Sequence, residues 1–194
     1  MTYFHVLRSA PNTRLLSVGD TVLTAEKKFN PFYERVCDIN HEIPVANEPR
    51  RLLEFFGSEI AAKYPGTALA PNVKGILEGY VRLLREMEFE NVRREYFGKL
   101  PSRTRCIWIT DSLPMALYWM KRLDKVSLCQ IVEVEVEGTL HRADGRHLEY
   151  DSSSIQELRE AADRYWRGEP HDTPEPELLL EGGMHIARVV TESS

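Results

Sequence analysis

The stretch that decides the fold runs from Glu175 to Val190 and has the sequence Glu-Pro-Glu-Leu-Leu-Leu-Glu-Gly-Gly-Met-His-Ile-Ala-Arg-Val-Val. Its three consecutive leucines, Leu178 to Leu180, are typical of a buried strand. The pair Gly182-Gly183 is a turn signal, and the apolar residues between His185 and Val190 suit a returning strand. The stretch therefore predicts two last strands joined by a turn, with Glu177 at the mouth of the first.

The segments before this stretch predict a strand-rich beginning, a helical middle and further strands. Val132, Val134 and Val136 alternate with glutamates and indicate a half-buried strand with one acidic face. Other strands are expected at 3–7, 15–18 and 105–110. Apolar residues at helical spacing predict helices over 48–64, ending at Pro65-Gly66, and over 73–96, 112–122 and 153–166. An irregular loop is expected up to residue 47. This order indicates an α+β fold with a mostly antiparallel sheet, and the helices between 48 and 97 are expected to form one lobe.

Length and composition fit an ordinary globular chain. Its 194 residues are 42% hydrophobic and 28% charged, and they suffice for one sizeable domain, which we expect to span residues 1–194. No apolar run has the roughly 20 residues of a membrane helix, and Met1 to His5 lacks the pattern of a signal peptide. We therefore expect a cytoplasmic protein without membrane contact.

Cysteine spacing and net charge exclude some other classes of function. The three cysteines are widely spaced and form no CxxC pair, so we expect neither a disulfide framework nor a zinc site, and no metal. The formal net charge of −5 argues weakly against non-specific binding to a polyanion. It does not exclude a local basic groove.

No P-loop, GxGxxG, HExxH or nucleophile elbow is present, so the chemical signal lies in three separate segments. They are residues 3–8, residues 106–119 and residues 175–190. Each has a structural interpretation when it is taken alone. His5 then is a satisfied core histidine, Asp111 is a helix cap, and Glu177 belongs to a solvated acidic loop that enters a strand.

Taken together and in this order, the three segments resemble the ADP-ribosyltransferase superfamily. The first is similar to the family's opening strand, in which a histidine follows an aromatic residue. The second is similar to its strand and helix with an aromatic, an Asp and an Ala-x-Tyr, here Ala116 and Tyr118. The third is similar to the final strand pair that opens with the catalytic glutamate. The resemblance implies a split antiparallel sheet with a helical lobe, which cleaves NAD⁺ and transfers ADP-ribose to a macromolecule.

The resemblance also assigns roles to individual residues. His5 would bind the adenosine ribose and the nicotinamide side of NAD⁺, and Tyr118 would stack on nicotinamide. Trp108 stands where the family has a strand tyrosine, and it departs from the pattern because it lacks a hydroxyl. Glu177 would be the catalytic glutamate, meeting His5 in one cleft. Glu175, the first residue of Glu175-Pro176-Glu177, would orient or deprotonate the acceptor.

These residue types suit the chemistry. Loss of nicotinamide leaves a ribose with developing positive charge, and a carboxylate bonded to a ribose hydroxyl is strengthened as that charge forms. Arg8 and Arg103 can bind a pyrophosphate in bidentate fashion, although Arg103 can equally pair with the acidic face of a helix. The pair Glu135 and Glu137 is a rival ExE motif, but Gly138 follows it where the family pattern has an apolar run.

Several functions remain open at this point. Two related enzymes are an NAD⁺ glycohydrolase, for which Glu175 would be dispensable, and an RNA 2′-phosphotransferase. A different class is a nucleotide-binding module that has lost activity. Small bacterial and phage members of the superfamily are often toxins or defence effectors, which implies a neutralising antitoxin partner and favours RNA or DNA over protein as the acceptor.

The basic residues between 82 and 105 could serve such an acceptor. They are interleaved with aromatic residues, as in a nucleic-acid groove. The glutamates among them favour a solvated helix face instead. The set comprises Arg82, Arg85, Arg93, Arg94, Arg103 and Arg105, with Phe89, Tyr96 and Phe97 between them.

Overall fold

The computed structural model describes residues 2–8, 14–25, 28–38, 42–45, 48–59, 61–63, 65–123, 129–149 and 154–192. Its strands are β1 (Tyr3–Arg8), β2 (Thr21–Leu23), β3 (Glu42–Val45), β4 (Glu48–Arg51), β5 (Ile107–Ile109), β6 (Cys129–Asp144) and β7 (Pro176–Glu192). Its α-helices are α1 (Pro31–Cys37), α2 (Leu52–Phe56), α3 (Gly66–Tyr96), α4 (Leu113–Leu123) and α5 (Ile155–Arg167). Two short 3₁₀ helices lie at Ala61–Lys63 and Gly145–Leu148.

The long strands β6 and β7 pair along nearly their whole length and carry the rest of the sheet. Their register runs from Gln130 opposite Glu192 to Asp144 opposite Pro176. Strand β7 is continuous through Gly182-Gly183, so the predicted turn between two last strands is wrong. Gly182 lies opposite Gly138 with φ of 150°, and a Cβ on Gly182 would lie 2.1 Å from the Glu137 carbonyl oxygen. Glycine is needed here for close approach of two strands, not for chain reversal.

The five-stranded sheet is antiparallel throughout and returns on itself. Strand β1 pairs with one edge of β6, while β5 and β2 pair with different parts of the outer edge of β7. Phe4 and Thr110 exchange two backbone hydrogen bonds of 2.7 and 2.8 Å, which join the end of β5 to β1. The path β1-β6-β7-β5 therefore leads back to β1. The α+β class and the antiparallel sheet are confirmed.

Alternation along the strands separates two apolar cores. Val132, Val134, Leu178 and Leu180 face the inside of the ring of strands. Leu179 faces the opposite side, where α3 and α5 cover the sheet with Phe89, Ala162, Tyr165 and Trp166. Two neighbouring residues of β7 thus serve different cores, which explains the uninterrupted apolar run Leu178 to Leu180.

Helix α5 agrees with its prediction and has clear ends. The Ser154 hydroxyl accepts a hydrogen bond from the Glu157 N–H, and Gly168 ends the helix in the left-handed conformation with φ of 70°. The predicted first residue, Ser153, lies outside the described residues. The buried face of α5 carries Tyr165 and Trp166 toward β6 and β7.

The region before residue 66 differs most from the sequence prediction. The expected helix over 48–64 is instead strand β4, the short helix α2 and a 3₁₀ turn, and its positions 60 and 64 lie outside the described residues. Helix α3 begins at Gly66, seven positions before the predicted start, and includes Pro71. The supposed irregular loop contains β2, α1 and β3, while the described residues of 15–18 form no strand.

A cap signal in the sequence explains one of these differences. The Asn30 side chain accepts a hydrogen bond from the Tyr33 N–H, and Pro31 occupies the first turn, a combination that starts a helix. Among the described residues, no helix is long and apolar enough to cross a membrane.

Candidate active site

A buried ionic cluster lies between β7 and the two helices that cover it. It comprises Glu86 of α3, Arg103 of the loop before β5, Tyr165 of α5 and Glu177 of β7. The Arg103 Nε donates to Glu86 Oε2 at 3.0 Å, and Arg103 Nη1 donates to the Tyr165 hydroxyl and to Glu177 Oε1. The Tyr165 hydroxyl donates to the same Glu177 oxygen. Four distant parts of the sequence thus converge on one carboxylate.

The local structure fixes Arg103 in this position. Its backbone carbonyl accepts a hydrogen bond of 2.8 Å from the Asn30 side chain, and the neighbouring Ser102 hydroxyl donates to Glu90 of α3 at 2.9 Å. Only 3% of the Arg103 side chain is exposed, and its guanidinium lies 5.0 Å from the ring centroid of Tyr165 and 5.7 Å from that of Trp108. Arg103 therefore holds the carboxylates from within the protein.

Electrostatics in the cluster favour the charged forms of Glu86 and Arg103 and the neutral form of Tyr165. Burial raises the pKa of Glu86, but the charges of Arg103 and Arg85 outweigh it and leave that pKa below its ordinary value. Burial alone would lower the pKa of Arg103, yet Glu86, Tyr165 and Glu177 raise it well above the usual range. Burial and Glu177 raise the pKa of Tyr165, against the effect of Arg103, so the hydroxyl stays protonated and donates.

The two oxygens of Glu177 have different surroundings. Oε1 accepts from Arg103 and Tyr165, whereas Oε2 has no hydrogen-bond partner within the described part of the chain. Oε2 lies on the side of Gly145, where an added Cβ would be 3.9 Å from it. The side chain is 10% exposed. The carboxylate is therefore anchored by one oxygen and has hydrogen-bonding capacity left on the other.

Polar side chains surround Glu175, two residues before Glu177. The Tyr118 hydroxyl donates to Glu175 Oε1 at 3.1 Å, and Arg122 donates to Oε2 at 2.8 Å. Arg146 lies 3.0 Å from Oε1. Tyr118, Arg122 and Arg146 are all partly exposed, whereas the Glu175 side chain is only 12% exposed. This rim places two cationic side chains and an aromatic ring beside the Gly145 turn.

Asp144 organises the turn that separates the two glutamates from α5. Its carboxylate accepts hydrogen bonds from the backbone N–H groups of Arg146, His171 and Glu175 at 2.8 to 3.0 Å. The Gly145 N–H in turn donates to the Glu175 carbonyl at 2.8 Å. These bonds fix the backbone position of both Glu175 and Arg146.

His5 approaches this region through Trp108. Its Nδ1 donates to the Trp108 carbonyl at 2.8 Å, and burial lowers its pKa in spite of that bond, so the ring is neutral with Nε2 as an acceptor. Among the described residues no hydrogen bond joins His5 to Glu177. The two residues expected to meet directly are instead connected through Trp108 and Arg103.

The structure places the two arginines that were expected to bind a pyrophosphate in different surroundings. Arg103 is buried and its guanidinium is bonded to Glu86, Tyr165 and Glu177, so it pairs with acidic residues of a helix and a strand and is not open to a pyrophosphate. The structure places Arg8 at the end of β1, opposite Cys129 and beside Arg35, apart from the buried ionic cluster.

The basic residues between 82 and 105 also differ from prediction. Arg85, Arg93 and Arg103 are buried and paired with glutamates of α3 that are themselves buried, and Phe89 is fully buried. Their pairing partners are Glu86 and Glu90. The face of α3 that carries Arg85, Phe89 and Arg93 is therefore neither solvated nor open to a nucleic acid, whereas Arg94 and Tyr96 at the end of the helix are exposed. Alternation of charged residues on a helix does not reveal that a second element covers them.

Residues missed by the sequence analysis complete the site. Tyr165 was expected on the apolar face of α5, and no sequence signal shows that its hydroxyl meets Glu177. Arg146 belongs to the segment from His141 to His147, which covers the end of β6 and the following 3₁₀ turn and is visibly rich in basic residues. Within the described ranges, no group of His, Cys, Asp and Glu side chains is arranged to hold a metal.

The sequence matches one family along almost its whole length. The chain belongs to the family described as "Protein of unknown function (DUF2441)", whose sequence model matches residues 3–192. No curated protein matches the chain. The family therefore includes both ends of the candidate site, β1 and β7, but its description assigns no activity.

Proposed function

We propose that the protein is an ADP-ribosyltransferase, which cleaves NAD⁺ and transfers ADP-ribose to a macromolecular acceptor. The observation that carries the proposal is the state of Glu177. Arg103 and Tyr165 hold one of its oxygens, and the other is left without a partner among the described residues, beside the Gly145 turn. A carboxylate fixed in this way is prepared to bond a ribose hydroxyl before the reaction begins.

The reaction breaks the bond between ribose C1′ and the nicotinamide nitrogen, and nicotinamide leaves with the electron pair. Positive charge develops on the ribose, and the Glu177 carboxylate stabilises it through its bond to a ribose hydroxyl. The acceptor then attacks C1′ and loses a proton. Arg103 stays charged, and its bond to Oε1 keeps Oε2 directed toward the turn.

Other residues of the site supply binding. Tyr118 offers an exposed ring on which nicotinamide can stack. Arg122 and Arg146, which flank Glu175 and are partly exposed, suit the pyrophosphate. His5 is hydrogen-bonded to the Trp108 carbonyl, and its neutral Nε2 can accept a hydrogen bond from a ribose hydroxyl.

Hydrolysis of NAD⁺ is a second candidate, favoured by the surroundings of Glu175. This glutamate was expected to orient the acceptor, yet Tyr118, Arg122 and Arg146 already occupy its oxygens. An NAD⁺ glycohydrolase needs no acceptor site, because water takes the place of the macromolecule.

One experiment separates these functions. The protein is incubated with NAD⁺ labelled in its adenylate part and with a cell lysate, and the products are treated with protease or nuclease. Label that survives protease and is lost to nuclease identifies a nucleic-acid acceptor, and the reverse identifies a protein. Free nicotinamide without a labelled macromolecule identifies a hydrolase. Nicotinamide release only with 2′-phosphorylated RNA identifies the phosphotransferase, and no release under any condition leaves an inactive module and refutes the proposal.

A further inference from the structure

A groove runs between the C-terminal end of α3 and helix α5, outside the site described above. It consists of two adjoining depressions of about 750 and 630 Å³ that share Tyr96, Phe97 and Arg167 in their walls. We call it the α3–α5 groove. The residues that line it have no role in the proposed reaction.

Aromatic rings line one half of the α3–α5 groove. His141 stacks on Trp166 at a centroid distance of 5.5 Å with 29° between the planes, and Phe97 and Tyr96 continue the wall outward. Tyr96 is 63% exposed, although large aromatic side chains are usually covered. Trp166 is buried and Phe97 is half-buried, so Tyr96 is the exposed ring of this row. Exposed aromatic faces are the surfaces on which unpaired bases stack.

Cationic side chains line the other half. Lys99, Arg159, Arg164 and Arg167 line this half together with two carboxylates, Glu160 and Asp163. Arg159 and Arg167 are bonded to glutamate and aspartate side chains. The exposed side chains of Lys99 and Arg164 have no ion pair with any described residue. Two cations are thus available to phosphates.

A buried acceptor lies at the inner end of the groove. His141 Nε2 has no hydrogen-bond partner in the described structure, while the other ring nitrogen is hydrogen-bonded to the backbone of Tyr165. Burial lowers the pKa of His141, so Nε2 is an unprotonated acceptor near neutral pH. An amino group of a base is a donor of the kind that this nitrogen lacks.

Residues at the inner end of the groove are sequence or sheet neighbours of residues next to Glu177. Trp166 and His141 line the groove, while Tyr165, the residue before Trp166, bonds the Glu177 carboxylate. His141 lies opposite Leu179 in the sheet, two residues from Glu177. The lining of the groove therefore adjoins residues that hold the candidate catalytic carboxylate.

We propose that the α3–α5 groove binds a single-stranded nucleic acid, whose bases stack on Tyr96 and Phe97 and whose phosphates contact Lys99 and Arg164. Stacking and positive charge without a groove-reading helix suit an unpaired strand and not a duplex. The binding itself requires no catalysis. Only the further step, in which the bound strand is the acceptor of ADP-ribose, rests on the proposed function.

The test measures binding of fluorescein-labelled single-stranded 12-mers of RNA and DNA by fluorescence anisotropy, without NAD⁺ and with Glu177→Gln as the parent protein. The double variant Lys99→Glu with Arg164→Glu is expected to weaken binding at least about tenfold. It should also reduce the slope of log affinity against log salt concentration by an amount that corresponds to more than one phosphate contact. Tyr96→Ala is expected to weaken binding about fivefold or more.

Matched controls lie on α3, outside the residues that line the groove. Lys74→Glu and Tyr80→Ala change an exposed lysine and an exposed tyrosine of α3 and should leave the affinity within twofold. Equal affinities of groove and control variants would overturn the proposal, and so would the absence of oligonucleotide binding, as expected for a groove that binds a protein partner. Competition by AMP or NAD⁺ as strong as that of an unlabelled 12-mer would also overturn it, because the groove would then be a mononucleotide pocket. The absence of NAD⁺ cleavage leaves this test intact.

Discussion

The buried ionic cluster predicts a measurable cost for a single hydroxyl group. Tyr165→Phe keeps the ring that packs on Phe89 and Trp166 and removes only the group that donates to Glu177 and accepts from Arg103. No cavity larger than an oxygen atom is left. The loss is therefore that of a buried hydrogen bond between a neutral and a charged partner, about 2 kcal/mol of unfolding free energy. For a chain of this size, that corresponds to a melting temperature lowered by about 4–8 °C.

Urea and thermal unfolding measure this cost, with Tyr118→Phe as the matched control. Tyr118 also donates to a glutamate, but its ring is exposed, so we expect less than about 0.5 kcal/mol. Tyr165→Phe combined with Glu177→Gln should show at least about 1 kcal/mol of coupling, since both changes remove the same bond. A stability of Tyr165→Phe equal to that of the control, or additive effects in the double variant, would refute the account of the cluster.

Three further predictions concern stability. Glu86→Gln should lower the free energy of unfolding by about 3–5 kcal/mol, because it leaves the buried Arg103 without one of its charged partners. Folding lowers the pKa of Glu86, so its contribution is present above the ordinary pKa of 4.5 and is lost as the pH falls below that value. In acid denaturation curves, the difference in stability between the variant and the wild type should therefore shrink. Gly182→Ala should lower the free energy of unfolding, measured by chemical denaturation, by at least about 2 kcal/mol, since φ of 150° and the opposite backbone exclude a Cβ. As a control, Gly75→Ala within α3 places its Cβ where nothing lies within 4 Å and should stabilise the protein by about 0.5–1 kcal/mol. Burial lowers the pKa of His5, so the stability of the protein should fall as the pH drops through 6.5, where the unfolded chain takes up a proton that the folded chain does not. In melting temperatures measured against pH, His5→Asn should reduce the slope in this range, and an unchanged slope would contradict the prediction.

Strands and helices with a strong local pattern were predictable from the sequence. The alternation of valines and glutamates in β6 and the apolar face of α5 lie in short windows, and the structure agrees with both. Failures occurred where a distant partner decides the structure. Glu48 to Arg51 form a strand because β3 pairs with them, and Gly182 permits a close crossing because Gly138 lies opposite. Nothing in either local sequence indicates its partner.

The candidate site was predictable only in part, for the same reason. Glu177 at the start of an apolar strand follows from the residue pattern, whereas the contact between Glu175 and Tyr118 is found only in the structure. The burial of Arg103 depends on α1, α3 and α5 together, so a surface role was a reasonable but wrong expectation. The hydroxyl of Tyr165 reaches Glu177 only in the folded chain.

The most direct test of the central claim is the release of nicotinamide from NAD⁺ by the wild-type protein and by two variants of equal charge change. We expect release by the wild type, a loss of about 10²–10³-fold in Glu177→Gln, and less than twofold change in Glu137→Gln, an exposed glutamate of β6. Unfolding curves of both variants separate loss of chemistry from loss of fold. No release by the wild type, or full activity of a folded Glu177→Gln, would contradict the account.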